Sequence, residues 1–141
     1  MDKLHFDPDT DGFYGAYWKC PNPTDCAIIA MIGDDPEDYL AKTMVKWLHG
    51  LDVNVMSMSP AKKDYGHHNY PLERIENAIK KLKSFGNKKI SIVGASTTGT
   101  LALTAASYFH DITLTIGLTP SDFVWQGFMQ GKKDGCKEWP I

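Results

Sequence analysis

A β-branched run that breaks at a glycine, presents one serine and passes straight into an alanine-rich segment leaves few folds open. Residues 89–108, KISIVGASTTGTLALTAASY, are such a stretch. They read as a strand over 90–93, a sharp turn at Gly94-Ala95-Ser96, and a helix over 97–109. Small residues on either side of the serine suit a place where strand and helix crowd together. A strained backbone there lifts the Ser96 hydroxyl clear of the sheet and points the following amide, that of Thr97, at negative charge developing in front of it.

The rest of the chain alternates in the same way. Residues 13–18, FYGAYW, follow the turn signal Asp9-Thr10-Asp11-Gly12 and read as an edge strand. Residues 27–32, AIIAMI, are apolar without interruption, which suits a central parallel strand covered on both faces. Gly33-Asp34-Asp35-Pro36 then reads as a helix start, with Asp34 or Asp35 as cap and Pro36 in the first helical position. Leu40, Met44, Trp47 and Leu48 keep helical spacing on one face, and Gly50 closes the segment. A strand over 53–58, a polar loop over 59–70, and a helix opened by Pro71 with Ile75, Ile79 and Leu82 on one face come next. After the serine turn and its helix, residues 112–118, ITLTIGL, form a last strand.

Strands alternating with helices of this length imply an α/β fold, a three-layer α/β/α sandwich around a mostly parallel sheet. Ligands of such sheets bind beyond the carboxyl ends of the strands. The loops that can meet at Ser96 are therefore 33–36, 59–70 and 119–128, which carry Asp34, Asp35, Lys62, Lys63, His67, His68, Asp122 and Trp125.

Composition narrows the function classes. With 141 residues the chain is expected to form one domain. A net charge of −2 gives no basic footprint, so nucleic acid is not an expected partner. No apolar run approaches the roughly 20 residues of a membrane span, and the acidic start MDKLHFDPDTDG lacks a leader's apolar core, so no membrane partner and a cytoplasmic location are expected. Cys20, Cys26 and Cys136 have neither zinc spacing nor disulfide density. No cofactor or metal is expected.

Val93-Gly94-Ala95-Ser96-Thr97-Thr98-Gly99, followed by Ala102-Leu103, the strand over 112–118 and the Thr119-Pro120 turn, resembles the acyl-CoA thioesterase and bile acid-CoA:amino acid N-acyltransferase family. The C-terminal half of that family is an α/β-hydrolase domain related to dienelactone hydrolases. The usual spelling of its turn, the nucleophile elbow, is G-x-S-x-G, and here the second glycine stands one place late, at Gly99. The resemblance runs over residues 27–128 in the order and spacing of elements. It implies attack on the carbonyl of a small-molecule acyl thioester or ester, through an acyl-enzyme at Ser96, with a histidine as base and an aspartate orienting it.

The chain departs from that pattern in two places. The loop expected to supply an oxyanion amide beside Thr97 is Gly33-Asp34-Asp35-Pro36, so the donor would be the Asp34 amide, amid carboxylates that favour a substrate bearing a cation. The triad order of the fold is Ser, acid, His, yet the only histidine after Ser96 is His110, at the far end of the helix. Asp122 stands where hydrolases can carry the acid. On these grounds the chain reads as the N-terminal half or more of a longer hydrolase, cut before its last strands, with low activity of its own and a tendency to self-association, such as a dimer joined through an uncovered sheet edge. His67 or His68 is the alternative base, out of the usual order. A different class of reading is a non-catalytic, flavodoxin-like module that holds phosphate on the amides of the Gly94–Gly99 turn, with Thr97 and Thr98; it lacks the glycine fingerprints of nucleotide sites. In the plainest reading, Ser96 only caps its helix.

Overall fold

The computed structural model describes residues 2–60 and 69–122. Its strands are β1 (Lys3–Phe6), β2 (Gly15–Trp18), β3 (Cys26–Met31), β4 (Asn54–Met58), β5 (Lys89–Ala95) and β6 (Ile112–Leu118); its helices are α1 (Pro8–Asp11), α2 (Tyr39–His49), α3 (Glu73–Ser84) and α4 (Thr97–Tyr108). The strands form one sheet in the order β1-β2-β4-β3-β5-β6. β1 and β2 run antiparallel to their neighbours, whereas β4, β3, β5 and β6 are mutually parallel. The α/β class with a mostly parallel sheet, expected from the alternation, is what forms.

The pleat divides the core cleanly. Ala27, Ile29 and Met31 of β3, Met56 and Met58 of β4 and Ile90 and Ile92 of β5 join Ile75, Ile79 and Leu82 of α3 and Ala102 and Ala105 of α4 on one face. Ile28, Ala30, Val55 and Val93 face the other way and meet Val45 and Leu48 of α2. Right-handed crossovers dictate this placement. The chain steps one way from β3 to β4 and the opposite way from β4 to β5, which puts α2 and α3 on opposite faces; the step to β6 repeats the direction of the second, so α4 joins α3.

Three expectations are corrected. The strand expected over 13–18 begins at Gly15 and is not an edge: β1 pairs with its outer side, and all four of its residues are buried. β1 shows only a four-residue alternation of Lys3, Leu4, His5 and Phe6, too short to stand out from the acidic start. The first long helix does not begin at Pro36. Its cap is Asp38, whose carboxylate accepts the Ala41 N–H at 2.8 Å. Pro36 is buried in the preceding loop, where its carbonyl accepts the Ser57 hydroxyl at 2.6 Å.

The later start also turns the helix. Ala41, Val45 and Leu48 face the sheet, while Leu40 and Trp47, expected there, are 56% and 61% exposed. Met44 and Trp47 instead wall an apolar groove of about 240 Å³ with Ile28, Leu48, Val93, Ile116 and Leu118. Among the described residues β6 is the outer strand beside β5, with Leu114, Ile116 and Leu118 partly exposed. No helix among the described residues is long and apolar enough to cross a membrane.

Candidate functional site

The chain reverses its direction across the sheet at β3, whose neighbours are β4 on one side and β5 on the other. The loops leaving β3 and β5 therefore part to opposite faces, and a crevice opens beyond their carboxyl ends. Ser96 and residues 33–38 occupy this place.

Ser96 has φ 55° and ψ −118°, nearly the mirror image of an ordinary extended residue, which a side chain tolerates poorly. Such a conformation costs on the order of 1–3 kcal/mol and persists only where the surroundings over-determine it. Here they do. The Ser96 N–H donates to the Leu118 carbonyl of β6 at 2.8 Å, and the Ser96 carbonyl accepts the Thr100 N–H of α4 at 3.1 Å. The side chain is exposed and makes no cap hydrogen bond to the helix that starts beside it, so the capping role fails. Thr97 is the first residue of α4, and its amide lies at the positive end of the helix.

The crowding anticipated from the small residues is real. A Cβ on Gly94 would fall on the Thr98 carbonyl, closer than any real contact, and 2.8 Å from the Gly99 nitrogen. The position that the usual spelling gives to a second glycine is Thr98, buried, with Oγ1 2.6 Å from the Met31 carbonyl.

Across the crevice, residues 33–38 coil around one carboxylate. Asp38 accepts the amides of Asp34 at 2.7 Å, Asp35 at 3.2 Å and Ala41 at 2.8 Å. Gly33, at φ 96°, gives that carboxylate room, since a Cβ there would lie 2.5 Å from it. Burial pushes the Asp38 pKa up, but the backbone N–H groups outweigh it and hold the carboxyl below its ordinary value. The Asp34 amide, expected as an oxyanion donor, is thus committed to Asp38, and the Asp34 side chain is exposed. Asp35 is also engaged, accepting the Tyr14 hydroxyl at 3.0 Å and the Glu37 amide at 2.9 Å. Glu37 pairs with Lys3 and, at 3.5 Å, with His5, and so ties the loop to β1.

Tyr14 reports on this loop. Burial first, then its bond to Asp35 and the charges of Asp35, Glu37 and Asp7, push its pKa up to about 12. Because the folded chain favours the neutral phenol more than the unfolded chain does, this contribution is complete below pH ~10 and is lost as pH rises toward 12. Denaturant titrations from pH 8 to 12 should show Tyr14→Phe losing less stability over that window than the unaltered protein. Equal losses would place the phenol outside the Asp35 contact.

The remaining candidates fare as follows. His67 and His68, with Lys62, Lys63 and Trp125, lie outside the described residues. Asp122 is exposed just after β6; its neighbour Ser121 donates its N–H to Thr100 Oγ1 at 2.8 Å, which folds this loop onto the first turns of α4. His110 is exposed at the opposite end of α4, as expected. His5 stacks edge-on against Tyr14, and His49 contacts the Trp18 carbonyl at 3.2 Å, so both are occupied away from Ser96. Sequence reading missed Asp38 and Tyr14, and it named Thr98 only in the phosphate-holding alternative. Asp38 had a legible sign, an aspartate three residues before Ala41 at the head of an apolar periodicity, obscured by the aspartates and proline before it.

Comparison of the chain with known protein families, with curated proteins and with solved structures finds no match.

Proposed function

We propose that this protein is a serine hydrolase or acyltransferase that forms an acyl-enzyme at Ser96. One observation carries the reading: an exposed serine at the end of a buried parallel strand, held at φ 55° and ψ −118° with its hydroxyl unused by the helix it precedes. Strain of this kind has no structural purpose at a simple cap, whereas an elbow needs it to free the hydroxyl. The strand order β1-β2-β4-β3-β5-β6 further supports the reading, since it reverses at β3 and leaves the Ser96 turn beside the crevice where such sheets take ligands. The phosphate-binding alternative gains no support, because the loop across the crevice carries Asp34, Asp35 and Asp38, of like charge to an anion.

In the proposed reaction Ser96 Oγ attacks an acyl carbonyl and its proton passes to a histidine base, with His67 or His68 an alternative that departs from the fold's usual order. Collapse of the tetrahedral species breaks the carbonyl bond to the leaving oxygen or sulfur, which departs with that proton; water or an amine then takes the acyl group from Ser96. Thr97 at the head of α4 is the nearer oxyanion donor, and Asp122 the candidate acid. The acidic loop suits a neutral or cationic ester better than the phosphates of coenzyme A, so an ester is the first substrate to try and an acyl-CoA thioester the second.

Treatment with a fluorophosphonate probe followed by peptide mass spectrometry tests the reading. A stoichiometric adduct on Ser96 is expected, and an unlabelled Ser96 under conditions where the protein is folded rejects it. Hydrolysis of p-nitrophenyl acetate should exceed that of acetyl-CoA at low salt, with the gap closing as salt screens the loop.

A further inference from the structure

A nucleophile works only at a fixed place beside the crevice that its substrate fills, so something must set the distance between the two walls of that crevice, the Ser96 turn and the loop after β3. Thr98 joins the two. Its Oγ1 lies 2.6 Å from the Met31 carbonyl and 2.9 Å from both the nitrogen and the carbonyl oxygen of Ala95. A hydroxyl has one proton to give, so with the shortest contact going to Met31 it accepts the Ala95 N–H. Met31 is the last residue of β3 and Ala95 the last of β5, immediately before Ser96. One hydroxyl thus clamps the final carbonyl of one strand to the final amide of the next.

Two other helical threonines behave differently. Thr43 and Thr104 bond the carbonyl four residues back in their own helices, at 2.8 Å each, as threonine in a helix commonly does. Thr98 reaches out of α4 to a strand far away in sequence, and it stands at the position where the usual elbow spelling has a glycine that could make no such bond.

We propose that Thr98 is a positioning residue for the Ser96 nucleophile, its hydroxyl holding the serine turn at a set distance from the loop after β3. The proposal rests on the reading of Ser96 as the nucleophile. Fluorophosphonate labelling of the full chain at several probe concentrations separates the maximal inactivation rate, kinact, from probe affinity. Thr98→Val keeps the shape and removes the hydroxyl; kinact should fall about tenfold or more while probe affinity changes less than about twofold, the pattern of a misplaced reactive group. Thr98→Ser restores the hydroxyl and should label within about threefold of the unaltered protein. Thermal unfolding of each variant identifies the folded material on which rates are compared. A folded Thr98→Val with unchanged kinact overturns the role of Thr98 and leaves that of Ser96 standing, whereas no adduct on the unaltered protein overturns both. Where Thr98→Val does not fold, Thr98→Ser decides: a rate near that of the unaltered protein supports the hydroxyl clamp, and a tenfold loss in folded protein overturns it.

Discussion

Ser96→Ala is expected to abolish fluorophosphonate labelling and to bring the chain's low ester hydrolysis down to the uncatalysed background, since the acyl-enzyme then has no oxygen to form on. The fold should survive, because the serine hydroxyl makes no cap bond and the Leu118 and Thr100 contacts use the backbone alone. Ser96→Gly should be equally inactive yet more stable than Ser96→Ala, by about 1 kcal/mol. Alanine keeps the Cβ that makes φ 55° and ψ −118° unfavourable, whereas glycine reaches the mirror-image region freely, an advantage only partly offset by its larger entropy in the unfolded chain. Hydrolysis of p-nitrophenyl esters and urea denaturation of the pair check both halves. An active Ser96→Ala removes Ser96 from the chemistry, and an Ser96→Gly less stable than Ser96→Ala removes the strain.

The second large effect is a contrast between two glycines of the same turn. Gly94→Ala should cost about 3 kcal/mol or more, since the new methyl meets the backbone of Thr98 and Gly99, which cannot swing aside as a flexible side chain would. Gly99→Ala should be close to neutral. Its methyl would lie 3.2 Å from the carbonyls of Gly94 and Leu118, a fit needing shifts of tenths of an ångström, and alanine favours the helix over glycine by about 1 kcal/mol. Chemical denaturation of the two variants measures the difference, and equal stabilities would mean that strand and helix do not crowd at Gly94.

These glycines also mark how far the sequence could be read. Gly94 and Ser96 announce themselves because β-branched residues precede them and alanines follow, two local patterns that agree with each other. The apolar run of β3 likewise carries its central position in its own composition. What stayed hidden depends on partners distant in the chain. The local sign of Asp38 competes with Asp34 and Asp35 standing before a proline, and the contact that goes with the later start, the Ser57 hydroxyl on the Pro36 carbonyl, is distant in the chain. The exposure of Leu40 and Trp47 follows from that shift in phase, since moving the start of a helix decides which stripe meets the sheet. Thr98 looks like a misspelling of the elbow until the Met31 carbonyl is seen beside it. The Asp34 amide follows the same rule: position in the sequence offers it to an oxyanion, and in the fold it is bonded to Asp38.

The bond from the Ser96 amide to Leu118 sets a timetable for the nascent chain. At ribosomal speeds Leu118 is added on the order of seconds after Ser96, and until it pairs in the sheet nothing on that side holds the serine backbone away from a relaxed turn. An emerging chain therefore lacks the strained Ser96 turn, which is set only when the sixth strand closes on the fifth. For the nucleophile proposed at Ser96, that delay would spare half-made chains premature acylation.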